Sequence, residues 1–207
     1  MIVRLLLIVL GLATVGVASR VLLPTEEVIV AGNRHLSDAE IRARTGLKPG
    51  TPWLWAWPYK LKALQSDPWV KQVRLERPKA GKLRIVLAER QPIATLVRGD
   101  QRQGLAADGT FLPGAPLVKP VLEGVGVVPV RDLLALIQTF PQVQKISFNP
   151  AGYSLEWEGM RVWGPNIMEL QRWAQGSKMS ASTQTVTSTA TGTLMVSVYS
   201  WGVSQRQ

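Results

Sequence analysis

Cysteine is absent from the 207-residue sequence, and histidine occurs once, as His35. The lack of thiols excludes disulfide bonds, thiolate nucleophiles and cysteine metal sites. A single histidine without cysteines cannot build a usual zinc site. A lone loop histidine beside a helix cap is most often solvated or part of the cap, rather than the base of a Ser-His-Asp triad. There is also no phosphate-binding loop and no glycine-rich dinucleotide motif. We therefore predict a protein that is not an enzyme and takes no metal, cofactor or small-molecule substrate.

Acidic residues are scarce, with 14 against 24 basic residues and a net charge of +10. The basic residues are scattered along the chain rather than gathered in one arm, so nucleic acid is not an expected partner. A positive surface is attracted to the anionic lipids of a nearby membrane. The charge therefore suits a protein that is held beside a bilayer.

Long apolar runs are missing except at the start of the chain. Residues 5–19 carry no charge, and after Arg20 the apolar character continues to residue 24. A helix over residues 5–24 would be about 30 Å long, which matches the hydrocarbon core of a bilayer, and Arg20 could snorkel to the headgroups. Arg4 lies before this run. The positive-inside rule then predicts a cytoplasmic tail at residues 1–4, a transmembrane signal anchor at 5–24 and an extracytoplasmic remainder.

A cleaved export signal is the alternative. Gly16-Val17-Ala18 is a passable small-residue cleavage site, and the apolar core is short enough for such a signal. The single basic residue before the core and the return of apolar character after Arg20 favour the uncleaved anchor. In either case the rest of the protein leaves the cytoplasm.

Residues 25–92 show the pattern of a β-α-α-β-β unit. Glu27–Gly32 reads as a strand that ends at a glycine turn, and Ser37 with Glu40 forms a capping box for a short helix. A second helix begins near Pro58. Apolar residues alternate in the last strand, at Leu83, Ile85 and Leu87. We predict an α+β domain here.

Residues 93–202 read as a mixed β-rich domain with two helices, at residues 130–140 and 165–175. Asp108-Gly109 is a strong hairpin turn. Residues 177–193 are rich in Ser, Thr and Ala, which is typical of a flexible connector. A final strand is predicted over 194–199, and residues 203–207 are expected to be a tail.

The segments EVIVAGNRHLS, LQSDPWVKQVRLER and LRIVLAERQPIATL resemble a POTRA domain of the FtsQ/DivIB cell-division family, and GLAADGTFLPG is similar to the hairpin that opens that family's β domain. The resemblance is strong over residues 27–112 and loose after 120. It implies a bitopic, non-catalytic divisome scaffold of the cytoplasmic (inner) membrane, located at the division septum. The implied partners are FtsB-like and FtsL-like bitopic coiled-coil proteins, other divisome proteins through the POTRA domain, and membrane lipid through the anchor.

The resemblance also implies a partner site on the last strand and its neighbour, where an exposed edge pairs with a strand of the partner. The family's tyrosine, followed three positions later by a glycine, corresponds to Tyr199 and Gly202. The sequence departs from the family where an Asp and an Arg usually precede the tyrosine, because it has Val196 and Val198. The predicted partner-binding residues are Arg161, Met195, Ser197, Val198, Tyr199, Trp201 and Gly202.

A possible second patch is formed by Trp53, Trp55 and Trp57. An extended segment would place all three rings on one face. They could pack between the two helices of the first domain, contact a partner, or dip into the headgroup layer, where tryptophan is favoured.

Two other functions remain open from the sequence. One is a POTRA-type chaperone of envelope assembly, although such proteins carry several POTRA units and a long β-barrel. The other is an exported wall-associated protein with a cleaved signal.

Overall fold

The computed structural model describes residues 11, 14, 18, 23–180, 194–199 and 202–206. The chain divides into two units, Met1–Arg90 and Gln91–Gln207. Each combines a β-sheet with helices, so the predicted α+β class is found. Of the predicted anchor at residues 5–24, the structure describes only residues 11, 14, 18, 23 and 24. Within the described part of the chain, no helix is both long enough and apolar enough to span a membrane.

The first unit is built on a three-stranded sheet in the order β1-β3-β2. Strand β1 is Glu27–Ala31, β2 is Val70–Lys79 and β3 is Lys82–Glu89. Strand β3 pairs in parallel with β1 and antiparallel with β2. The alternating residues Leu83, Ile85 and Leu87 are all buried, which confirms the face that the sequence pattern predicts.

Helix α1 of the first unit, Asp38–Thr45, begins as the capping pattern predicts. The Ser37 hydroxyl accepts a hydrogen bond from the Glu40 amide at 3.3 Å. The second predicted helix is composite, with 3-10 turns at Trp53–Trp55 and Pro58–Leu61 followed by the short helix α2, Lys62–Gln65. Ile41, Leu61 and Leu64 bring these helices onto the sheet as buried core residues.

The second unit carries a nine-stranded sheet in the order β12-β11-β10-β9-β8-β7-β4-β5-β6. The strands are β4 Pro92–Arg98, β5 Gln101–Ala106, β6 Phe111–Pro113, β7 Val121–Gly124, β8 Lys145–Asn149, β9 Gly152–Trp157, β10 Met160–Gly164, β11 Leu194–Tyr199 and β12 Gly202–Arg206. Its helices are α3, Val130–Thr139, and α4, Ile167–Ser180. The hairpin turn at Asp108-Gly109 joins β5 to β6, as predicted.

One row of apolar side chains fixes the core face of the large sheet. It crosses six strands from β4 to β11 through Leu96, Leu122, Ile146, Leu155, Val162 and Val196. Leu133 and Leu136 of α3 and Leu170 of α4 belong to the same buried cluster. The helices therefore cover one face, and the alternate residues of each strand lie on the other.

Two predicted boundaries in the second unit change. The prediction of a flexible connector from residue 177 is wrong over residues 177–180, because α4 continues through Gly176 to Ser180. Residues 181–193 lie outside the described residues. The prediction of a tail at 203–207 is also wrong, because residues 202–206 form β12.

Candidate functional site

Strand β12 forms one edge of the large sheet, and this moves the predicted binding edge. We expected the strand ending at Tyr199 to be the edge, but β12 pairs antiparallel with it from Met195↔Arg206 to Tyr199↔Gly202 without a break in register. Strand β11 is therefore internal, and among the described residues β12 is the last strand on this side of the sheet, with no strand paired to its outer side. Gly202, a predicted partner-binding residue, is the first residue of this edge strand. Trp201 lies outside the described residues.

The predicted site residues of β11 divide between the two faces of the sheet. Val196 and Val198 are buried, Val198 with only 3% of its surface exposed. The inclusion of Val198 in the surface site is thus corrected, since its side chain belongs to the core. Met195 is 46% exposed, and Ser197 and Tyr199 alternate with the valines on the same outer face.

Arg161 joins this outer face from the neighbouring strand β10. It lies opposite Met195 in the parallel β10–β11 pair and opposite Glu156 in the antiparallel β9–β10 pair. Its guanidinium Nη2 is 2.7 Å from the Glu156 carboxylate. The pair is exposed, so it contributes at most about 1 kcal/mol to stability, and it fixes the position of Arg161 beside Met195.

Three residues near this edge were missed by sequence reasoning. Trp163 of β10 packs against Tyr199 with ring centroids 5.6 Å apart and the ring planes tilted by 57°, which extends the outer face with a second aromatic ring. Val203 of β12 is 51% exposed, and Ser204 lies opposite Ser197. The alternation of residues around Trp163 is a signal that could have identified its face, whereas the short, polar β12 carries little strand signal.

The opposite edge of the sheet is closed to strand addition by its own sequence. Strand β6 has only three residues, and its last residue is Pro113. Proline lacks a backbone N–H and is a common device for blocking edges. The two edges of the sheet are therefore chemically different, and β12 is the longer one.

The predicted tryptophan patch is divided by the local backbone. Trp53 packs against the core of the first unit, and its indole Nε1 donates to the Lys82 carbonyl at 3.2 Å. Trp55 and Trp57 are 46% and 52% exposed. The prediction that all three rings share one face is wrong, because residues 53–55 form a 3-10 turn rather than an extended segment.

The Glu89-Arg90 pair of the family-like segment holds one end of the first unit together. The Glu89 carboxylate accepts hydrogen bonds from the backbone amides of Arg34, His35 and Leu36 at 2.7–3.1 Å. The Arg90 guanidinium donates to backbone carbonyls before and within β2. The His35 ring stacks on the Trp69 ring with centroids 3.7 Å apart, so the lone histidine packs against an aromatic side chain of the same unit.

Comparison with known families identifies the first unit. Residues 23–90 match the family model for a POTRA domain of the FtsQ type. These residues are an FtsQ-type POTRA domain. The match confirms the resemblance to the FtsQ/DivIB family over this segment, which is a third of the chain. No curated protein sequence matches the chain.

The FtsQ-type POTRA domain relates the chain to bacterial cell division and to protein–protein contacts within the division machinery. Domains of this type belong to a non-catalytic scaffold family. Among the residues that the structure describes, no group of three or more His, Asp or Glu side chains is placed to hold a metal ion. The candidate site consists of the edge strand β12 and the outer face of β10 and β11.

Proposed function

We propose that the protein is a bitopic divisome scaffold that recruits and links division proteins through its extracytoplasmic units. The observation that carries the proposal is the open edge strand β12 in a chain with an FtsQ-type POTRA domain. The apolar run at residues 5–24 would be the anchor in the cytoplasmic (inner) membrane, with residues 1–4 in the cytoplasm. Confinement to two dimensions raises the effective concentration of partners in the same membrane.

Strand addition at β12 is the proposed mechanism of recruitment. Alternate residues of an edge strand direct their N–H and C=O groups to the free side, where a partner strand can pair with them. Gly202 lies opposite Tyr199, and Ser204 lies opposite Ser197. Both β12 residues are small, so side chains of an added strand can reach toward Tyr199 and Ser197. Aromatic anchors such as Tyr199 are frequent hot spots at protein interfaces.

The proposed partners at this edge are FtsB-like and FtsL-like bitopic coiled-coil proteins, and the POTRA domain would contact other divisome proteins. The first experiment is the location of an N-terminally tagged, functional full-length protein in dividing cells of its own host. A band at the septum supports the proposal. A uniform membrane signal during active division contradicts it.

The binding edge is tested with two adjacent proline variants, Val203→Pro and Ser204→Pro. Neighbouring amides of a strand point to opposite sides, so one variant removes an amide from the free side and the other removes an amide that faces β11. We expect at least about a tenfold loss of affinity for the FtsB-like partner in the free-side variant, since about 1.4 kcal/mol gives that factor.

Hydrogen exchange of the β11 amides shows which of the two variants has lost the amide on the free side. The free-side variant keeps β11 protected, and the other does not, so each serves as the control of the other. Normal partner binding by the variant that keeps β11 protected would contradict strand addition at β12.

A further inference from the structure

The N-terminal end of the POTRA domain is tied to the tryptophan segment by backbone hydrogen bonds. The Trp53 amide donates to the Leu23 carbonyl at 3.0 Å, and the Thr25 amide donates to the Thr51 carbonyl at 2.8 Å. Pro24 forms a β-bridge with Pro52. The chain therefore enters the domain directly beside residues 51–57, immediately after the apolar run of the sequence ends.

The exposed apolar side chains of this unit gather at the same end. Within the described part of the first unit, all of its exposed large apolar residues fall in two short segments, at residue 23 and at residues 54–59. They are Leu23, Leu54, Trp55, Trp57 and Tyr59, and we call this set the aromatic end. Tyr59 is 62% exposed. The other described large apolar side chains of this unit are buried or half-buried, so its exposed apolar surface is confined to the aromatic end.

Two basic side chains, Arg77 and Lys79, belong to the hairpin that adjoins the aromatic end, where the Glu26 side chain also approaches Gly81. This β2–β3 hairpin is joined to the aromatic end, because the Glu26 amide donates to the Gly81 carbonyl at 2.7 Å. Arg77 lies over the Trp53 ring, 5.4 Å from its centroid, and donates to the Ala56 carbonyl. Lys79 is exposed in the same hairpin. The nearby carboxylate of Glu27 forms an ion pair with Lys82.

We infer that the aromatic end docks into the headgroup layer of an anionic bilayer. The inference rests on the proposed membrane anchor, because the apolar run that would enter the bilayer ends within two residues of Leu23. Tryptophan and tyrosine are favoured at the membrane–water interface, and a basic residue near an anionic surface contributes about 1 kcal/mol. Docking would hold the POTRA domain in one orientation to the membrane, with its Glu89 end pointing away.

The absence of cysteine allows this docking to be measured in the full-length protein. Tyr59→Cys, labelled with an environment-sensitive dye, places a probe at the aromatic end after reconstitution into vesicles of phosphatidylcholine and phosphatidylglycerol. Ala39→Cys is the matched control, since Ala39 is exposed in the first turn of α1, near the Glu89 end. We expect a blue-shifted probe at residue 59 that lipid-borne quenchers reach, and a probe at residue 39 that they do not reach.

Two further substitutions in the Tyr59→Cys background test the chemistry of docking. Trp57→Ser should abolish most of the lipid quenching. Lys79→Gln should lower the ratio of docked to free domain about fivefold, which corresponds to the loss of one basic group at an anionic surface. Equal quenching of the parent and both variants would overturn the inference.

The remaining outcomes separate this inference from the proposed function. If the full-length protein is extracted from vesicles by alkaline carbonate, the anchor itself fails. If the protein stays anchored but lipid quenches residue 59 no more than residue 39, docking is overturned and the anchor stands. A probe at residue 59 that is shielded from aqueous iodide but also from lipid quenchers identifies a protein contact at the aromatic end, which also overturns docking.

Discussion

Removal of the Glu89 carboxylate should selectively destabilise the POTRA domain. This side chain comes from the end of β3 and binds the three consecutive amides of residues 34–36, with Oε2 accepting from Arg34 and His35 and Oε1 from Leu36. These amides lie between β1 and α1, where they have no partner in a strand ladder. Glu89→Ala would therefore release the connection that positions α1 and that holds His35 over Trp69.

The magnitude follows from the burial of the three amides. Hydrogen bonds to a charged group contribute about 1.5–3 kcal/mol each, and an unsatisfied buried donor costs about 1–3 kcal/mol. Arg34 and His35 are exposed, so water replaces much of what their amides lose. Leu36 is buried, so its amide is poorly rehydrated. We expect Glu89→Ala to lower the free energy of unfolding of this unit by about 2–4 kcal/mol.

Hydrogen exchange with mass spectrometry is the appropriate assay, because a chain with two units need not unfold in one transition. A loss of 2–4 kcal/mol speeds the exchange of the protected β1 and β3 amides by about 30-fold or more, and the second unit should not change. Glu76→Ala is the control, because Glu76 makes only an exposed ion pair with Arg74 and should change stability by less than about 1 kcal/mol. Equal effects of the two substitutions would refute the role of Glu89.

Further predictions concern a phenol and a turn glycine. Burial raises the pKa of the Tyr153 phenol from 10.0 to about 12, and a hydrogen bond to Asp132 adds to this effect. The native state therefore holds the phenol proton more tightly than the unfolded state. The resulting contribution to the free energy of unfolding is complete below pH 10 and is lost as the pH rises through about 12. Tyr153→Phe should remove a phenolate absorbance step near pH 12 and cost about 1–2 kcal/mol, and a step near pH 10 in the native protein would contradict this. Gly32→Ala should cost more than about 3 kcal/mol in urea unfolding, because φ is +85° and a Cβ would lie 2.0 Å from the Leu87 carbonyl oxygen. Gly46→Ala, at φ +65° with open space around it, should cost only about 1–2 kcal/mol, and equal losses would contradict the clash.

The POTRA fold could be predicted because its local signals agree with its packing. Leu83, Ile85 and Leu87 alternate along β3, and all three side chains are buried in the core. Ser37 predicts the start of α1 through a bond to the Glu40 amide that the structure contains. In both cases a pattern of a few residues determines the element, and no distant contact opposes it.

The tryptophan segment was predicted wrongly because spacing alone does not determine backbone conformation. Trp53, Trp55 and Trp57 alternate as they would in a strand. The backbone instead turns after Pro52, where the Trp55 amide donates to the Pro52 carbonyl at 3.0 Å. This turn buries Ala56 and sends Trp53 toward the sheet while Trp55 stays exposed. Tertiary packing of one ring therefore overrides the period-two pattern.

The partner edge was displaced in the prediction because edge strands take their structure from their neighbours. Strand β12 has the sequence Gly-Val-Ser-Gln-Arg, with a single large apolar residue. Backbone pairing with β11 makes this segment a strand, although its side chains do not show a strand pattern. The two faces of β11 also look alike in the sequence, since valines alternate with Met195 and Tyr199, so only the register shows that Val198 belongs to the core.

The four sheet edges in the described part of the chain differ in how they discourage strand addition, and this difference supports β12 as the site. In β1, the Val28 carbonyl accepts from the Arg42 guanidinium at 3.2 Å. Strand β2 is interrupted by two register shifts and carries Pro78 near its end. Strand β6 has three residues and ends at Pro113.

Each of these features is a known way to block unwanted pairing. Strand β12 continues through five residues with an unbroken register, and its described residues include no proline. Two sheets in which three of the four edges are blunted and one is regular are suited to accept a partner strand at the regular edge. This asymmetry connects the fold of the second unit to the recruitment function that we propose.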